Sequence, residues 1–209
     1  MNLYNMFSTP FWVAEVEFDN ERLLQEIYKF SMEVPNQDRS NSGGYQGHGF
    51  KDPEWVKLIN SAVPELEQNP IKKMGMAAWV NINQYGHFNH RHTHFNSDIF
   101  LSGIYYVKVP ENSGGVRFWD PRGPLISTSM DHKYFNHGYT FHELEPDPGT
   151  LCFFPSWLEH DVLPNMNPQR EDRISIAFNI MVSETEVPLQ DPQGVPDGKS
   201  GTEDTSQEE

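Results

Sequence analysis

Beyond Pro70 the chain is a succession of short apolar segments divided by turn-forming residues, and this rhythm restricts the fold more than any other feature. The segments Met74–Tyr85, Ile99–Val109, Val116–Trp119, Tyr139–Glu143, Thr150–Phe154 and Arg173–Val182 are rich in β-branched and aromatic residues, which suit a pleated surface with a buried face. Between them lie Asn112-Ser113-Gly114-Gly115 and Asp147-Pro148-Gly149, whose Gly, Pro and Asn/Asp residues close tight turns. Upstream, Phe11–Phe18 alternates as an opening strand. Asp19 is then placed to cap a helix whose apolar positions Leu23, Leu24, Ile27 and Tyr28 share one face. A Gly/Asn/Ser-rich loop is expected over Pro35–Gly49. Asp52-Pro53-Glu54 combines a cap, a proline at the first helical position and an acid in the first turn, so a second helix is predicted to about Ala62. Two helices followed by many short strands predict a mainly β chain, an antiparallel sandwich or jelly roll with the helices packed outside it.

A length of 209 residues supports one sizeable core without demanding a second. The formal charge of −15 argues against a nucleic-acid-binding surface. About half of that charge lies in residues 184–209, where eight acids face one lysine and almost no large apolar residue follows Leu189. The expected division is therefore a jelly-roll domain over 1–183 and an acidic disordered tail over 184–209. Cys152 is the single cysteine and sits in the apolar run Leu151-Cys152-Phe153-Phe154, the setting of a packed thiol in a reducing compartment. No basic segment followed by an apolar run opens the chain, and no apolar stretch approaches membrane-spanning length. A soluble, cytoplasmic protein with no membrane partner is expected.

Nine histidines are present, and four of them crowd into Gly86–His94. Alternate side chains of a strand share a face, which puts His90, His92 and His94 on one side. At a rise of ~3.3 Å per residue, His92 and His94 stand ~6.5 Å apart at Cα, close enough to converge on one ion. A jelly roll places two ligands one residue apart on one strand and a third on a distant strand, and His160 behind Phe154-Pro155-Ser156-Trp157 is the natural third. Neutral imidazoles converging on one space make a site for a divalent transition metal such as non-haem iron. Two other ligand sets stay open: two protein ligands only, or His90 in place of one member. Asp98 or Asp161 could instead supply a carboxylate, though neither has the expected spacing. The remaining histidines, His48, His87, His90, His132, His137 and His142, are expected to include several surface residues.

Downstream, Arg173, Ser175, Ala177 and Asn179 fall on one face of a strand and Ile174, Ile176 and Phe178 on the other. An inward Arg is unfavourable unless it meets an anion, and its planar fork suits a carboxylate. The alternatives are a structural ion pair or Arg170 in the functional role.

Several ordered pieces together carry a resemblance. They are Phe7-Ser8-Thr9-Pro10-Phe11; His92-Thr93-His94 followed by Leu101-Ser102-Gly103-Ile104-Tyr105-Tyr106; Phe118-Trp119-Asp120-Pro121-Arg122; Phe154-Pro155-Ser156-Trp157-Leu158-Glu159-His160; and Arg173-Ile174-Ser175. Over about residues 3–182 they resemble the 2-oxoglutarate/Fe(II)-dependent oxygenases, distant relatives of the prolyl hydroxylases. The resemblance implies a double-stranded β-helix, that is, a cupin-like jelly roll with flanking N-terminal helices. It also implies Fe(II) held by His92 and His160, and 2-oxoglutarate clamped by Arg173 and Ser175 with help from the Tyr106 hydroxyl. One position departs from the superfamily pattern: an Asp or Glu is usual where His94 stands. A three-His site leaves the metal a full unit more positive than a two-His-one-carboxylate site.

The function so implied is hydroxylation of a small-molecule or peptide substrate with dioxygen and 2-oxoglutarate. Two alternatives follow from the residues: a three-His cupin-type dioxygenase that needs no 2-oxoglutarate, or a non-catalytic jelly-roll binding module. Loops Pro35–Gly49 and Ser127–Gly138 are candidate lids.

Overall fold

The structure is a computed structural model that describes residues 7–63, 74–96, 98–123 and 140–182. In chain order the elements are β1 (Trp12–Glu15), α1 (Asn20–Glu33), β2 (Asn41–Ser42), β3 (Tyr45–His48), α2 (Pro53–Ala62), β4 (Met74–Asn83), β5 (Phe88–His92), β6 (Ile99–Lys108), β7 (Val116–Trp119), β8 (Phe141–Leu144), β9 (Thr150–Pro155), β10 (His160–Val162) and β11 (Arg173–Val182). They form a six-stranded sheet, ordered β1-β9-β6-β11-β4-β3, and a five-stranded sheet, ordered β2-β5-β10-β7-β8. The strand pairings are antiparallel. This is the expected mainly β jelly roll. No helix among the described residues is long and apolar enough to cross a membrane.

Two cores explain why the large-sheet strands read as almost continuous apolar runs: both of their faces are buried. On one face Ile174, Ile176, Phe178 and Ile180 of β11 pack with Val80 and Ile82 of β4 against Leu23 and Ile27 of α1 and Trp55 and Ile59 of α2. The other face meets the small sheet, where Trp79, Ile104, Phe154 and Ala177 pack with Val116 and Phe118. Gly103 shows how tight the helix-side layer is, because a Cβ there would lie 2.3 Å from the ring of its register partner Phe178. Asp52 joins the helices: it caps α2 by accepting from Trp55 N at 2.8 Å and binds both terminal nitrogens of Arg22 on α1 at 2.7 and 3.1 Å.

The expected start of α1 and the expected bounds of α2, β7 and β11 hold closely, and those of β4, β6 and β9 hold within one or two residues. The opening strand is shorter, Trp12–Glu15. The expected loop over Pro35–Gly49 instead contains β2 and β3, one in each sheet, joined through Gly43 and Gly44 at φ of 68° and 72°. That segment clips the two sheets together rather than hanging free as a lid. The second candidate lid, Ser127–Gly138, and the acidic segment 184–209 lie outside the described residues.

Candidate metal centre and anion pocket

The histidine cluster is assembled by β5 and β10, which lie side by side in the small sheet with His92 opposite His160. The next matched pair is Asn89 with Val162, so β5 advances three residues while β10 advances two. The extra residue is a β-bulge, which shifts the facing pattern by one. Asn89 is therefore buried and His90 exposed. Simple alternation put His90 beside His92; the bulge turns it out against the ring of Phe88. His94 follows the end of β5, and its backbone N–H donates to Ser156 O at 2.9 Å.

One nitrogen each of His92, His94 and His160 lies within 4.8 Å of the others. The three ring centroids are 4.4 to 5.1 Å apart. In every ring Nδ1 is already engaged. His92 Nδ1 meets His90 O at 2.6 Å, and His160 Nδ1 meets Leu158 O at 2.9 Å. His94 Nδ1 meets Ser102 Oγ and Asn179 Oδ1, both at 2.9 Å. A carbonyl only accepts, so Nδ1 of His92 and His160 carries the proton and Nε2 keeps its lone pair. This is the arrangement of metal-binding histidines, whose outer nitrogen is held by an oxygen. Burial pushes all three imidazoles below their ordinary pKa: His94 to about 4, with His92 adding to the effect, and His160 well below, with both other rings contributing. The donor set thus fits a divalent metal ion, which needs neutral imidazoles.

Neither candidate carboxylate joins the cluster. Asp161 accepts from both Arg117 and Trp119 Nε1 on the outer side of the small sheet. Asp98 is exposed and is not grouped with the three rings. Among the other histidines, His48 stacks on Trp79 and His142 is exposed, while His132 and His137 lie outside the described residues.

Arg173, Ser175 and Tyr106 line the same cavity as the three histidines, with Ile104 and Val162 among its apolar walls. Ser175 is register partner to both Tyr106 and Asn81, so the polar groups form a row across the large sheet. Arg173 is 2 % exposed. Its Nη1 donates to Gly114 O at 3.0 Å, and its Nε has no partner. Among the described residues no carboxylate forms an ion pair with it, and burial lowers its pKa to about 10. The expected alternative of a structural salt bridge is therefore not what is found. Burial likewise raises the Tyr106 phenol, so it stays a neutral hydroxyl. A buried cation with an idle N–H, in a cavity with no acidic lining residue, fits an anionic ligand such as a carboxylate. Arg170 is exposed and stacks on Tyr85 instead.

Three further residues belong to the site and received little or no weight from sequence: Asn89 on the bulge, and Ser102 and Asn179 behind His94. Asn179 could have been found, because it lies on the inward face of β11 that alternation predicts.

Residues 77–179, spanning most of β4 to β11, match the family described as "Putative 2OG-Fe(II) oxygenase". No curated protein matches the chain. Among solved structures, a prolyl-4-hydroxylase from Pseudomonas putida shares 15 % identity with a TM-score of 0.62, covering 85 % of this chain and 95 % of that one. HygX from Streptomyces hygroscopicus, with nickel and 2-oxoglutarate bound, shares 12 % identity with a TM-score of 0.57 and 84 % coverage of both chains. A prolyl hydroxylase from Trichoplax adhaerens, in complex with a hypoxia inducible factor oxygen degradation domain peptide fragment, shares 15 % identity with a TM-score of 0.57, covering 82 % and 83 %. These likenesses show the fold. With the family match over the strands that carry the cluster and the buried arginine, residues 77–179 form a domain of the 2OG-Fe(II) oxygenase family.

Proposed function

We propose that this oxygenase holds Fe(II) through Nε2 of His92, His94 and His160, and 2-oxoglutarate through Arg173, Ser175 and Tyr106. The observation that carries this reading is one cavity lined both by three imidazoles with engaged Nδ1 atoms and by a buried arginine without an acid. When bound, Fe(II) and 2-oxoglutarate supply dioxygen activation coupled to oxidative decarboxylation, the chemistry that hydroxylates a C–H bond. The chain's own residues bind and shield. Arg173 presents a charged fork to the far carboxylate of the cosubstrate, and the Ser175 and Tyr106 hydroxyls can each add a hydrogen bond. Ile104, Val162 and Trp79 exclude water from the space between. Nδ1 of each histidine stays protonated and tied, so the rings hold their orientation. A small-molecule or peptide substrate would approach the open side of the cavity. A cytoplasmic site of action belongs to the same reading and is supported by the single, buried Cys152.

The test is anaerobic titration of the metal-free protein with Fe(II) and then 2-oxoglutarate, followed by visible absorption. A charge-transfer band that requires both additions is expected in the wild type and is lost in His160→Ala. A band of undiminished intensity in His160→Ala would overturn the ligand assignment.

A further inference from the structure

The three imidazoles are not held alike. His92 and His160 each face a backbone carbonyl two residues away in sequence, an acceptor that no substitution removes. His94 depends on side chains. Its Nδ1 lies 2.9 Å from Ser102 Oγ and 2.9 Å from Asn179 Oδ1, and Ser102 Oγ donates to Asn179 Oδ1 at 2.8 Å. Ser102 on β6 and Asn179 on β11 are register partners, and Ser102 is fully buried.

This triangle settles where the proton of His94 resides. A neutral imidazole carries its proton on one nitrogen and can bind a metal only through the other. Serine alone would leave the choice open, because a hydroxyl can donate to Nδ1 or accept from it. A carboxamide oxygen can only accept, and it has two lone pairs. Asn179 Oδ1 takes the one serine proton, which leaves Nδ1 with no donor to accept from and with an acceptor to serve. The proton of His94 then sits on Nδ1, and the Nε2 lone pair remains for a metal. A carboxylate at position 94 would need no such device, because an ionised carboxylate has free lone pairs in any orientation.

We infer that Asn179, aligned by Ser102, is a positioning residue that sets the tautomer of His94 and so lets an imidazole serve where an acid is usual. The inference rests on His94 as a metal ligand, as proposed above. It separates the two polar partners: the acceptor at Asn179 is essential, whereas Ser102 only refines its aim.

Two measurements test it. Long-range proton–nitrogen correlation spectra of the metal-free protein report the tautomer directly, without any metal. The Nδ1–H form of His94 is expected in wild type, Asn179→Asp and Ser102→Ala, and a shift toward the Nε2–H form in Asn179→Leu and Asn179→Ala. Co(II) titration, read by calorimetry and by visible d–d absorption, should then show affinity falling roughly 10- to 100-fold in Asn179→Leu and Asn179→Ala, as for the loss of other outer partners of metal-bound histidines. Asn179→Asp and Ser102→Ala should stay within roughly threefold of wild type. An Asn179→Asp protein as weak as Asn179→Leu would show that shape rather than acceptance matters, and would overturn the inference. So would an unchanged tautomer in both Asn179→Leu and Asn179→Ala. The underlying reading fails separately: Co(II) binding unaffected by His92→Ala and His160→Ala would remove the metal site while the tautomer result still stood.

Discussion

Replacing Arg173 with methionine should make the protein more stable while abolishing its response to 2-oxoglutarate. The guanidinium is 2 % exposed, has one hydrogen bond to Gly114 O and keeps an idle Nε. Its pKa falls from 12.5 to about 10, which corresponds to about 3 kcal/mol of uncompensated charge burial at neutral pH. Removing the side chain loses a charged hydrogen bond of about 1.5 kcal/mol, and methionine fills most of the vacated volume. The net gain is about 1–2 kcal/mol, or roughly 3–6 °C in Tm for a domain of this size. Cosubstrate should reverse the order. At 100 times its Kd, a ligand stabilises the wild type by about 2.7 kcal/mol, and the Arg173→Met protein should show none of this. The assay is differential scanning fluorimetry of both proteins with Mn(II), with and without 2-oxoglutarate. A ligand-free Arg173→Met protein more than about 1 kcal/mol less stable than wild type would mean that the guanidinium has a structural partner, which would refute the argument. A retained thermal shift would place the carboxylate clamp elsewhere.

Three further outcomes are expected. His160→Ala should weaken Fe(II) or Co(II) binding by more than the roughly 100-fold that an outer partner is worth, measured by calorimetry; a smaller loss would argue for a metal site without it. Gly103→Ala should destabilise by about 1–3 kcal/mol in urea unfolding, because the added Cβ meets the Phe178 ring at 2.3 Å and the Cys152 carbonyl oxygen at 2.9 Å; a neutral result would mean that the layer can open. The metal-free protein should lose stability as pH falls from about 6.5 toward 4. His94 has a folded pKa lowered to about 4 from 6.5, so the unfolded chain takes up the proton first, at up to about 3 kcal/mol for this one residue. His92 and His160 act in the same direction. Denaturant melts that stay level between pH 7 and 5 would contradict the burial of these rings.

The three-His cluster carries one more positive unit than a cluster with an acid at position 94, and nothing in the lining of the cavity offsets it. Arg173 adds a second source of positive charge in the same space. A dianionic cosubstrate is the natural complement of both, which links the departure at His94 to the acid-free pocket.

How much could be read in advance differs from element to element. The strand from Arg173 to Val182 was legible in both extent and facing, because period-two alternation is a local property and both of its faces are buried. The α2 cap at Asp52 was legible for the same reason, since cap and first turn are adjacent in sequence. His92, His94 and His160 could be named from spacing and their setting. The exclusion of His90 could not, because it depends on a bulge seen only when β5 is laid against β10. The strands β2 and β3 were hidden because two- and four-residue pieces rich in Gly, Asn and Ser gain their pairing from neighbours distant in the chain. From its order of residues alone, this protein declared a jelly roll, a histidine cluster and an inward arginine. Folding alone decided which histidines meet, that the arginine has no acid, and that Asn179 comes to stand behind His94 from 85 positions away. The difference is physical: periodicity, caps and side-chain chemistry are carried by neighbouring residues, whereas register and hydrogen-bond partners are properties of two strands held together.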